Sequence, residues 1–251
     1  MLAAARRALL LGRLQKDGRL VAKELAAELD LSEDSIRRDL RDLAAEGLLT
    51  RVYGGALPAS PAVADYAARS SIAAASKTRV AARAAALVQP GSTVILDGGT
   101  TTLALVRALP RDLDCTIVTH SPTIAAALLD HAAEVLVLGG RLFKHSAVTS
   151  GAAAAESAGR VSADLFFLGV TGVHPAQGLT TGDADEAAMK RVLASRAADT
   201  YVLASTEKIG TASPFQVLPL GEVTALIVDR RTPPDALLPL RQTGAELIEA
   251  G

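Results

Sequence analysis

The sequence predicts an α/β protein in two parts: an N-terminal winged helix-turn-helix domain, followed by a doubly wound, mostly parallel α/β domain. Two observations support this division. Residues 21–56 combine helical periodicity with a glycine-tipped hairpin, whereas from Ser92 onward short apolar runs alternate with helical stretches. Such alternation is typical of a parallel sheet with both faces covered. We therefore expect domains at 1–57 and 77–251, joined by a linker at 58–76.

Residues 21–56, VAKELAAELDLSEDSIRRDLRDLAAEGLLTRVYGGA, are typical of two short helices, a charged third helix and a hairpin that turns at Gly54 and Gly55. Ser32 is placed to cap the charged helix, because its side chain can accept a hydrogen bond from the N–H of Ser35. A capped helix begins at a fixed residue. The cap therefore fixes which side chains would enter a DNA groove.

The charged helix has one predicted buried face, because Ile36, Leu40 and Leu43 recur at i, i+4 and i+7. The candidate DNA contacts lie on its start, its other faces and the hairpin: Ser32, Asp34, Ser35, Arg37, Arg38, Arg41, Arg51 and Tyr53. The alternative is a solvated helix face on which Asp39 and Asp42 pair with the arginines. The adjoining hairpin, which would form a wing, favours DNA binding.

The run SEDSIRRDLRDLAAEGLLTRVYGGAL resembles the N-terminal signature of the DeoR family of bacterial transcriptional regulators. The resemblance lies in the paired arginines followed by Asp-Leu and in the closing Arg-x-aromatic-Gly-Gly-Ala. Tyr53 stands where the family more often carries His. This resemblance implies a regulator that binds double-stranded operator DNA.

The composition limits which other classes of protein the chain could belong to. The chain has 251 residues, of which 49% are hydrophobic, so it can bury a large core. The single Cys115 excludes a disulfide framework, and the four histidines lack the spacing of a metal site, so no metal or cofactor is predicted. Arg13 interrupts the first apolar run, so no signal peptide or membrane association is expected and a cytoplasmic location fits.

The net charge of the N-terminal region gives a weaker indication of the oligomeric state. Residues 1–57 hold ten Lys or Arg against nine Asp or Glu, a net charge of +1 within a chain of net charge −1. So small a positive charge attracts DNA weakly in a single copy, and a second copy would double it. We therefore expect a homo-oligomer, a dimer or a higher state.

A second group of candidates lies in loops after the apolar runs, where ligands of parallel sheets bind. In the loop DGGTTT, glycines let the backbone approach an anion and hydroxyls can donate to it, although an ordinary strand-to-helix turn would look similar. Together with later loops the candidates are Asp97, Gly98, Gly99, Thr100, Thr101, Thr102, His120, Ser121, Gly139, Gly140, Arg141, Asp183 and Lys208. In the helix after Asp183, Lys190 and Arg191 are predicted on the solvent face.

Residues 77–229 resemble the C-terminal sensor domain of the DeoR family, which is similar in fold to ribose-5-phosphate isomerase, the glucosamine-phosphate deaminases and the CoA-transferases. In the family, the loop matched here by Asp97 to Thr101 binds the effector, generally a phosphorylated sugar, and a lysine near the end of the pattern corresponds to Lys208. His120 stands where the family often has Asn, and Ser205 where it often has Asp.

The resemblance implies a repressor of a sugar or carbohydrate operon that a phosphorylated sugar releases from its operator, and no enzyme activity. One alternative is a sugar-phosphate isomerase or deaminase with an accessory DNA-binding domain. Four carboxylates could then supply a general base: Asp97, Asp183, Asp185 and Glu186. An activator, or a DNA-binding protein without an effector, is a third interpretation.

Overall fold

The structure is a computed structural model that describes residues 2–251. Its N-terminal domain consists of α1 (Ala3–Asp17), β1 (Leu20–Val21), α2 (Ala22–Glu28), α3 (Glu33–Ala45), β2 (Leu49–Val52) and β3 (Gly55–Pro58). The three strands form an antiparallel sheet in the order β1-β3-β2, which makes β2 and β3 a wing. Buried leucines of α1 pack with Ile36, Leu40 and Leu43 of α3, the face predicted from the sequence.

Residues 21–56 contain two helices where the sequence predicted three. The third helix of the domain is α1, which precedes this stretch and contributes Leu10 and Leu14 to the core. Only seven residues are helical between Val21 and the turn at Asp30, whose φ is +51°. So short a segment forms one helix of about two turns.

The predicted linker 58–76 is folded against the second domain. It contains a 3-10 turn (Pro61–Val63), α4 (Tyr66–Arg69) and the start of α5 (Ala74–Ala85). The Ser60 hydroxyl donates to the Thr171 carbonyl, and Arg69 is buried. We call residues 59–73 the connecting segment. The boundaries at 57 and 77 themselves stay predictions.

The second domain contains the remaining strands, which are β4 (Thr93–Leu96), β5 (Thr116–Thr119), β6 (Glu134–Val137), β7 (Arg141–Phe143), β8 (Val148–Ser150), β9 (Ala163–Leu168), β10 (Gly172–His174), β11 (Gly178–Thr181), β12 (Ala197–Ala204), β13 (Phe215–Leu218), β14 (Ala225–Asp229) and β15 (Leu247–Ala250). Its further helices are α6 (Thr100–Ala108), α7 (Pro122–Ala127), α8 (Ala152–Ala158), α9 (Ala184–Ala194) and α10 (Pro234–Gln242). Short 3-10 turns lie at Thr206–Lys208 and Leu220–Glu222.

Seven strands form a parallel sheet in the order β15-β14-β12-β9-β4-β5-β6. Helices α5 and α6 cover one face, around Leu96, Phe167 and Leu203, and helices α8 and α9 cover the other, around Ile95 and Phe166. This confirms the doubly wound, mostly parallel fold that the sequence predicts. The carboxyl ends of the central strands β9 and β4 therefore open onto one edge of the sheet.

Two smaller sheets were not predicted. Residues 139–146, expected as a loop, lead into and include part of the β7–β8 hairpin, and β10, β11 and β13 form an antiparallel sheet. Short strands of this kind depend on partners distant in sequence, so local patterns do not reveal them. Within residues 2–251, no helix combines the length and apolarity that crossing a membrane requires.

Candidate functional site

The start of α3 is fixed by the predicted cap. The Ser32 side chain accepts a hydrogen bond from the N–H of Ser35 at 3.2 Å, and the two hydroxyls lie 2.9 Å apart. Glu33 and Asp34 occupy the first turn, where negative charge complements the helix dipole. The first turn of α3 thus begins at a defined residue and faces solvent.

The arginines of α3 all have exposed side chains: Arg37, Arg38 and Arg41. Arg37 pairs with Glu33, with 2.6 Å between Nη2 and Oε1. Asp39, which could have paired with these arginines, is buried and accepts from Arg6 of α1 instead, at 3.0 Å. The solvated-face alternative is therefore limited to the Arg37 pair, and Asp39 serves to attach α1 to α3.

The wing places further candidates beside α3. Arg37, Arg51 and Tyr53 line one groove of about 190 Å³ between the helix and the wing. The wing turns at Gly54, whose φ is +78°, and a Cβ at Gly55 would lie 1.7 Å from the Leu20 carbonyl oxygen. Glycine is required at both positions. The turn leaves the Tyr53 side chain fully exposed.

A second site lies at the carboxyl ends of β4 and β9, around the buried carboxylate of Asp97. One oxygen, Oδ1, accepts from the N–H of Gly98 and lies 2.8 Å from His120 Nε2. The other, Oδ2, accepts from the N–H of Gly169 at 2.9 Å and from Lys190 Nζ at 2.5 Å. Asp97 is thus surrounded by donors within the protein, and it holds the loop rather than facing a ligand.

These partners determine the charge of Asp97. Burial alone would raise the pKa of the Asp97 carboxyl, but Lys190 and His120 outweigh it and hold that pKa well below the usual range. The carboxylate stays ionised, and both of its oxygens are bonded to groups of the protein. It is therefore a poor general base, which weakens the enzyme alternative.

The prediction that Lys190 lies on the solvent face of its helix is wrong, because the side chain is buried. Its Nζ lies 3.1 Å from Glu186 Oε1 as well as beside Asp97. Burial would lower the pKa of Lys190, but the two carboxylates raise it above its usual value. The i, i+4 spacing of Glu186 and Lys190 turns both toward the sheet edge. Arg191 is exposed, as expected.

Beside Asp97 lies a cavity of about 30 Å³ that the loop before α6 lines. The predicted residues on its wall are Gly98, Gly99, Thr100, Thr101, Thr102 and Lys208. Gly99 has a φ of +118°, a conformation that glycine adopts readily, and α6 begins at the next residue. The first N–H groups of a helix have no partner within it, so they are available to a ligand here.

Lys208 supplies a positive charge to this cavity. Its Nζ donates to the Leu203 carbonyl at 2.8 Å and contacts Thr101 Oγ1 at 3.2 Å, and within residues 2–251 it forms no ion pair. Burial lowers the pKa of Lys208 to about 8, and neighbouring cations add to this shift although Glu207 opposes it. At neutral pH the cavity therefore holds an ammonium group that forms no ion pair with a carboxylate of residues 2–251.

Two predicted residues lie behind the cavity wall. His120 is fully buried, with Nδ1 2.8 Å from the Thr149 carbonyl oxygen and Nε2 on Asp97. The Ser121 hydroxyl donates to the Ala147 carbonyl at 2.8 Å. Both side chains hold neighbouring loops in place. Neither side chain lines the cavity, so any influence on a ligand is indirect.

The structure does not bring the other predicted residues to the cavity. Gly139, Gly140 and Arg141 lie around the exposed start of β7, where Arg141 Nη2 is 3.1 Å from Asp185 Oδ2. Asp183 caps α9 by accepting from the Glu186 N–H at 2.9 Å. The β7–β8 hairpin carries the glycines and Arg141 away, and the cap occupies an oxygen of Asp183.

Sequence reasoning missed three charged residues of the cavity wall: Arg69, Lys77 and Glu207. Lys77 Nζ donates to the Arg69 carbonyl at 2.5 Å and lies 3.6 Å from Glu207 Oε1. Glu207 directly precedes Lys208, and its Oε2 is buried with no hydrogen-bond partner within the described range 2–251. No periodic signal distinguishes Arg69 or Lys77, because folding of the connecting segment brings Arg69 to the sheet and the packing of α5 brings Lys77 there.

A winged helix-turn-helix with exposed arginines on α3, joined to a parallel α/β domain, is typical of DNA-binding regulators. Models of the DeoR-like helix-turn-helix domain and the DeoR C terminal sensor domain match residues 6–61 and 72–230. The chain belongs to the DeoR family, and it is a DNA-binding transcriptional regulator.

Relatives match along almost the whole chain. The HTH-type transcriptional regulator GlpR of Haloferax volcanii is 33% identical over 93% of this chain and 92% of its own length. The HTH-type transcriptional repressor GlcR of Bacillus subtilis is 30% identical over 86% of this chain and 84% of its own. Both relatives are transcriptional regulators that the chain matches in both domains.

Similarity to solved structures is weaker. The sorbitol operon regulator SorC of Klebsiella pneumoniae aligns with a TM-score of 0.37 and 14% identity over 82% of this chain and 92% of that one. Ribose 5-phosphate isomerase A of Methanocaldococcus jannaschii aligns with a TM-score of 0.37 and 17% identity over 50% of each chain.

Proposed function

We propose that this regulator represses a sugar or carbohydrate operon and leaves its operator DNA when a phosphorylated sugar binds the cavity beside α6. The observation that carries this proposal is the buried ammonium of Lys208, which forms no ion pair in the part of the chain that the structure describes. It lies beside the N–H groups and hydroxyls at the start of α6. A buried cation of this kind is stabilised by an anion. Phosphate satisfies the charge and the donors together.

The sugar part of the effector is supported by Glu207. Glu207 lines the same cavity, and its Oε2 is buried without a donor among residues 2–251. A buried acceptor in this state is stabilised by a hydroxyl. A ligand that carries both a phosphate and hydroxyl groups meets the needs of Lys208 and Glu207 at once. Inorganic phosphate meets only the need of Lys208 for an anion.

On the DNA side, we propose that α3 enters the major groove through the exposed residues at its start, with Arg51 and Tyr53 of the wing against the phosphate backbone. The side chains we assign to this interface are Ser32, Asp34, Ser35, Arg37, Arg38, Arg41, Arg51 and Tyr53. Their support is the groove shared by α3 and the wing, and the exposure of the α3 arginines.

We infer repression without turnover of the effector. The relative GlcR is named a repressor, which favours repression over activation. The carboxylates that an isomerase would use have other partners: Asp97 is held by Lys190, Asp183 caps α9 and Asp185 pairs with Arg141. None of these three carboxylates is therefore free to act as a base toward a phosphorylated sugar in this cavity.

We also infer a homo-oligomer, with strand β6 as the contact between two copies. β6 is the last strand of the seven-stranded sheet, and around it Leu129, Leu136 and Val137 are 84%, 50% and 49% exposed. An unpaired apolar edge can pair with the same edge of a second copy across a two-fold axis. Analytical ultracentrifugation should show an oligomer that Leu136→Lys dissociates; a monomeric wild type, or an unchanged variant, would exclude this contact.

The test of the effector class is a thermal-shift screen of the full chain. Aldose and ketose phosphates are compared with the same sugars without phosphate, because a ligand of the native state raises Tm by mass action. At least one phosphorylated sugar should raise Tm while its unphosphorylated form does not. The proposal is contradicted if no phosphorylated sugar in the panel raises Tm, or if the sugars act equally without phosphate.

A further inference from the structure

We propose that Arg69, carried by the connecting segment, is a second ligand of the effector's phosphate, and that phosphate binding draws Arg69 away from the turn of the β7–β8 hairpin. The inference rests on the proposed function, because it assumes an anionic effector in the same cavity. It adds a binding residue outside the predicted loops, and it gives a route from the cavity to the DNA-binding domain.

The guanidinium of Arg69 is buried and incompletely bonded. The residue is 8% exposed and lines the cavity with Lys208. Its Nη2 donates to the His145 carbonyl at 3.0 Å, whereas Nε is buried and has no hydrogen-bond partner among the residues that the structure describes. Among residues 2–251 no carboxylate forms an ion pair with it, and burial lowers its pKa. A planar guanidinium in this condition suits two hydrogen bonds to one phosphate.

The size of the cavity requires a wall to move. Its volume of about 30 Å³ holds one or two water molecules, far less than a phosphorylated sugar. The sheet ends and α6 belong to the buried core. By contrast, α4 is a single turn of four residues. It is held in part by exchangeable side-chain hydrogen bonds, such as the one of 3.1 Å from the Tyr66 hydroxyl to Thr123 Oγ1. The α4 side is therefore the wall that yields.

Movement of α4 reaches the hairpin turn directly. Arg69 holds the His145 carbonyl, and Glu186, also on the cavity wall, accepts from the Ser146 hydroxyl at 3.1 Å. His145 and Ser146 also line a cavity of about 500 Å³ between the two domains. Its opposite wall includes residues of the DNA-binding domain: Ala44, Gly47, Leu49, Thr50 and Arg51. The hairpin turn thus bonds to two residues of the effector cavity's wall and also lines the space beside α3 and the wing.

The connecting segment provides a covalent path in the same direction. Strand β3 of the wing ends at Pro58, and α4 begins eight residues later at Tyr66. A phosphate that captures Arg69 therefore displaces the chain that carries the wing as well as the hairpin turn. The two displacements change how the DNA-binding domain sits on the sensor domain.

The experiment uses the full chain and inorganic phosphate as the probe. Isothermal titration calorimetry compares wild type, Arg69→Gln and the matched control Arg107→Gln, whose arginine is exposed near the end of α6. We expect Arg69→Gln to raise the Kd for phosphate at least tenfold, and the control to leave it unchanged. Hydrogen exchange at residues 144–147 should accelerate with phosphate in the wild type but not in Arg69→Gln.

Three results overturn the inference. If phosphate does not bind the wild type, the proposed anion site fails together with the role of Arg69. If the wild type binds and Arg69→Gln binds equally, only the role of Arg69 fails. If exchange at 144–147 is unchanged by phosphate in the wild type, the link to the hairpin fails. Should Arg69→Gln not fold, Arg69→Lys replaces it, because one ammonium lacks the guanidinium fork and should also weaken binding.

Discussion

Two buried lysines lie at the same edge of the sheet in different electrostatic surroundings. Lys190 lies between Asp97 and Glu186, which raise its pKa, whereas Lys208 forms no ion pair within residues 2–251 and its pKa falls to about 8. A lysine neutralised within the protein stabilises the loop. A lysine that forms no ion pair keeps its charge for a ligand. We therefore assign a structural role to Lys190 and a binding role to Lys208.

The first prediction concerns the stability cost of Lys208. The protonated side chain is unfavourable in the folded state, whose pKa of about 8 lies below the reference of 10.5, so its cost is present below pH 8 and disappears as pH rises toward 10.5. Lys208→Met should raise the free energy of unfolding by about 1–2 kcal/mol at pH 7 in urea denaturation. The gain should shrink at pH 10. A less stable variant at pH 7 would contradict this account.

The second prediction concerns the pH dependence of ligand binding. Anions bind the protonated form of Lys208, which is lost as pH rises above about 8. Affinity for inorganic phosphate should therefore fall between pH 7 and pH 9.5, by up to roughly tenfold per pH unit above 8. Titration calorimetry at both pH values checks this, and the Lys208→Met variant should bind weakly at either pH. An equally steep fall in that variant would assign the titration to another group.

The third prediction concerns recognition of DNA. Arg38 is exposed on α3 and has no ion pair among the described residues, so its side chain is free to reach a base or a phosphate. Arg38→Ala should weaken operator binding by about 1–3 kcal/mol in fluorescence anisotropy titrations. Arg107→Ala, on the far end of α6, is the matched control. Operator affinity equal to that of wild type would remove Arg38 from the interface.

At the scale of elements, local signals explain what could be predicted. The cap of α3, its buried face and the glycine turn before α6 depend on neighbours within a few residues, so the sequence shows them directly. Lys190 and Arg69 depend on packing across the fold: α9 turns Lys190 inward onto Asp97, 93 residues away, and the connecting segment carries Arg69 to His145, 76 residues away. No periodicity in one segment contains that information.

The fourth prediction concerns the cap of α3. Ser32→Ala removes the acceptor for the Ser35 N–H and should lower the free energy of unfolding of the full chain by about 1 kcal/mol. Ser32→Asp retains an acceptor at the same position and is the matched control for stability. Urea denaturation of the three proteins measures the effect. A loss of equal size in both variants would mean that the cap contributes nothing.

In the whole molecule, the two domains are not joined by a free linker, because both contribute walls to the cavity between them. The connecting segment closes the effector cavity, and residues of α3 and the wing face the β7–β8 turn across the inter-domain cavity. A ligand changes operator affinity only when it binds the two arrangements of the domains with different affinities. The closed cavity suits this requirement, because its free and occupied forms differ in the position of α4.

One titration shows whether a phosphorylated sugar bound at Lys208 weakens operator binding. Labelled operator DNA is titrated by fluorescence anisotropy with wild type and Lys208→Met, with and without the sugar phosphate that gives the largest thermal shift. The account predicts that the ligand weakens operator binding at least tenfold in the wild type and leaves Lys208→Met unchanged. Equal loss of affinity in both proteins, or none in the wild type, would contradict it.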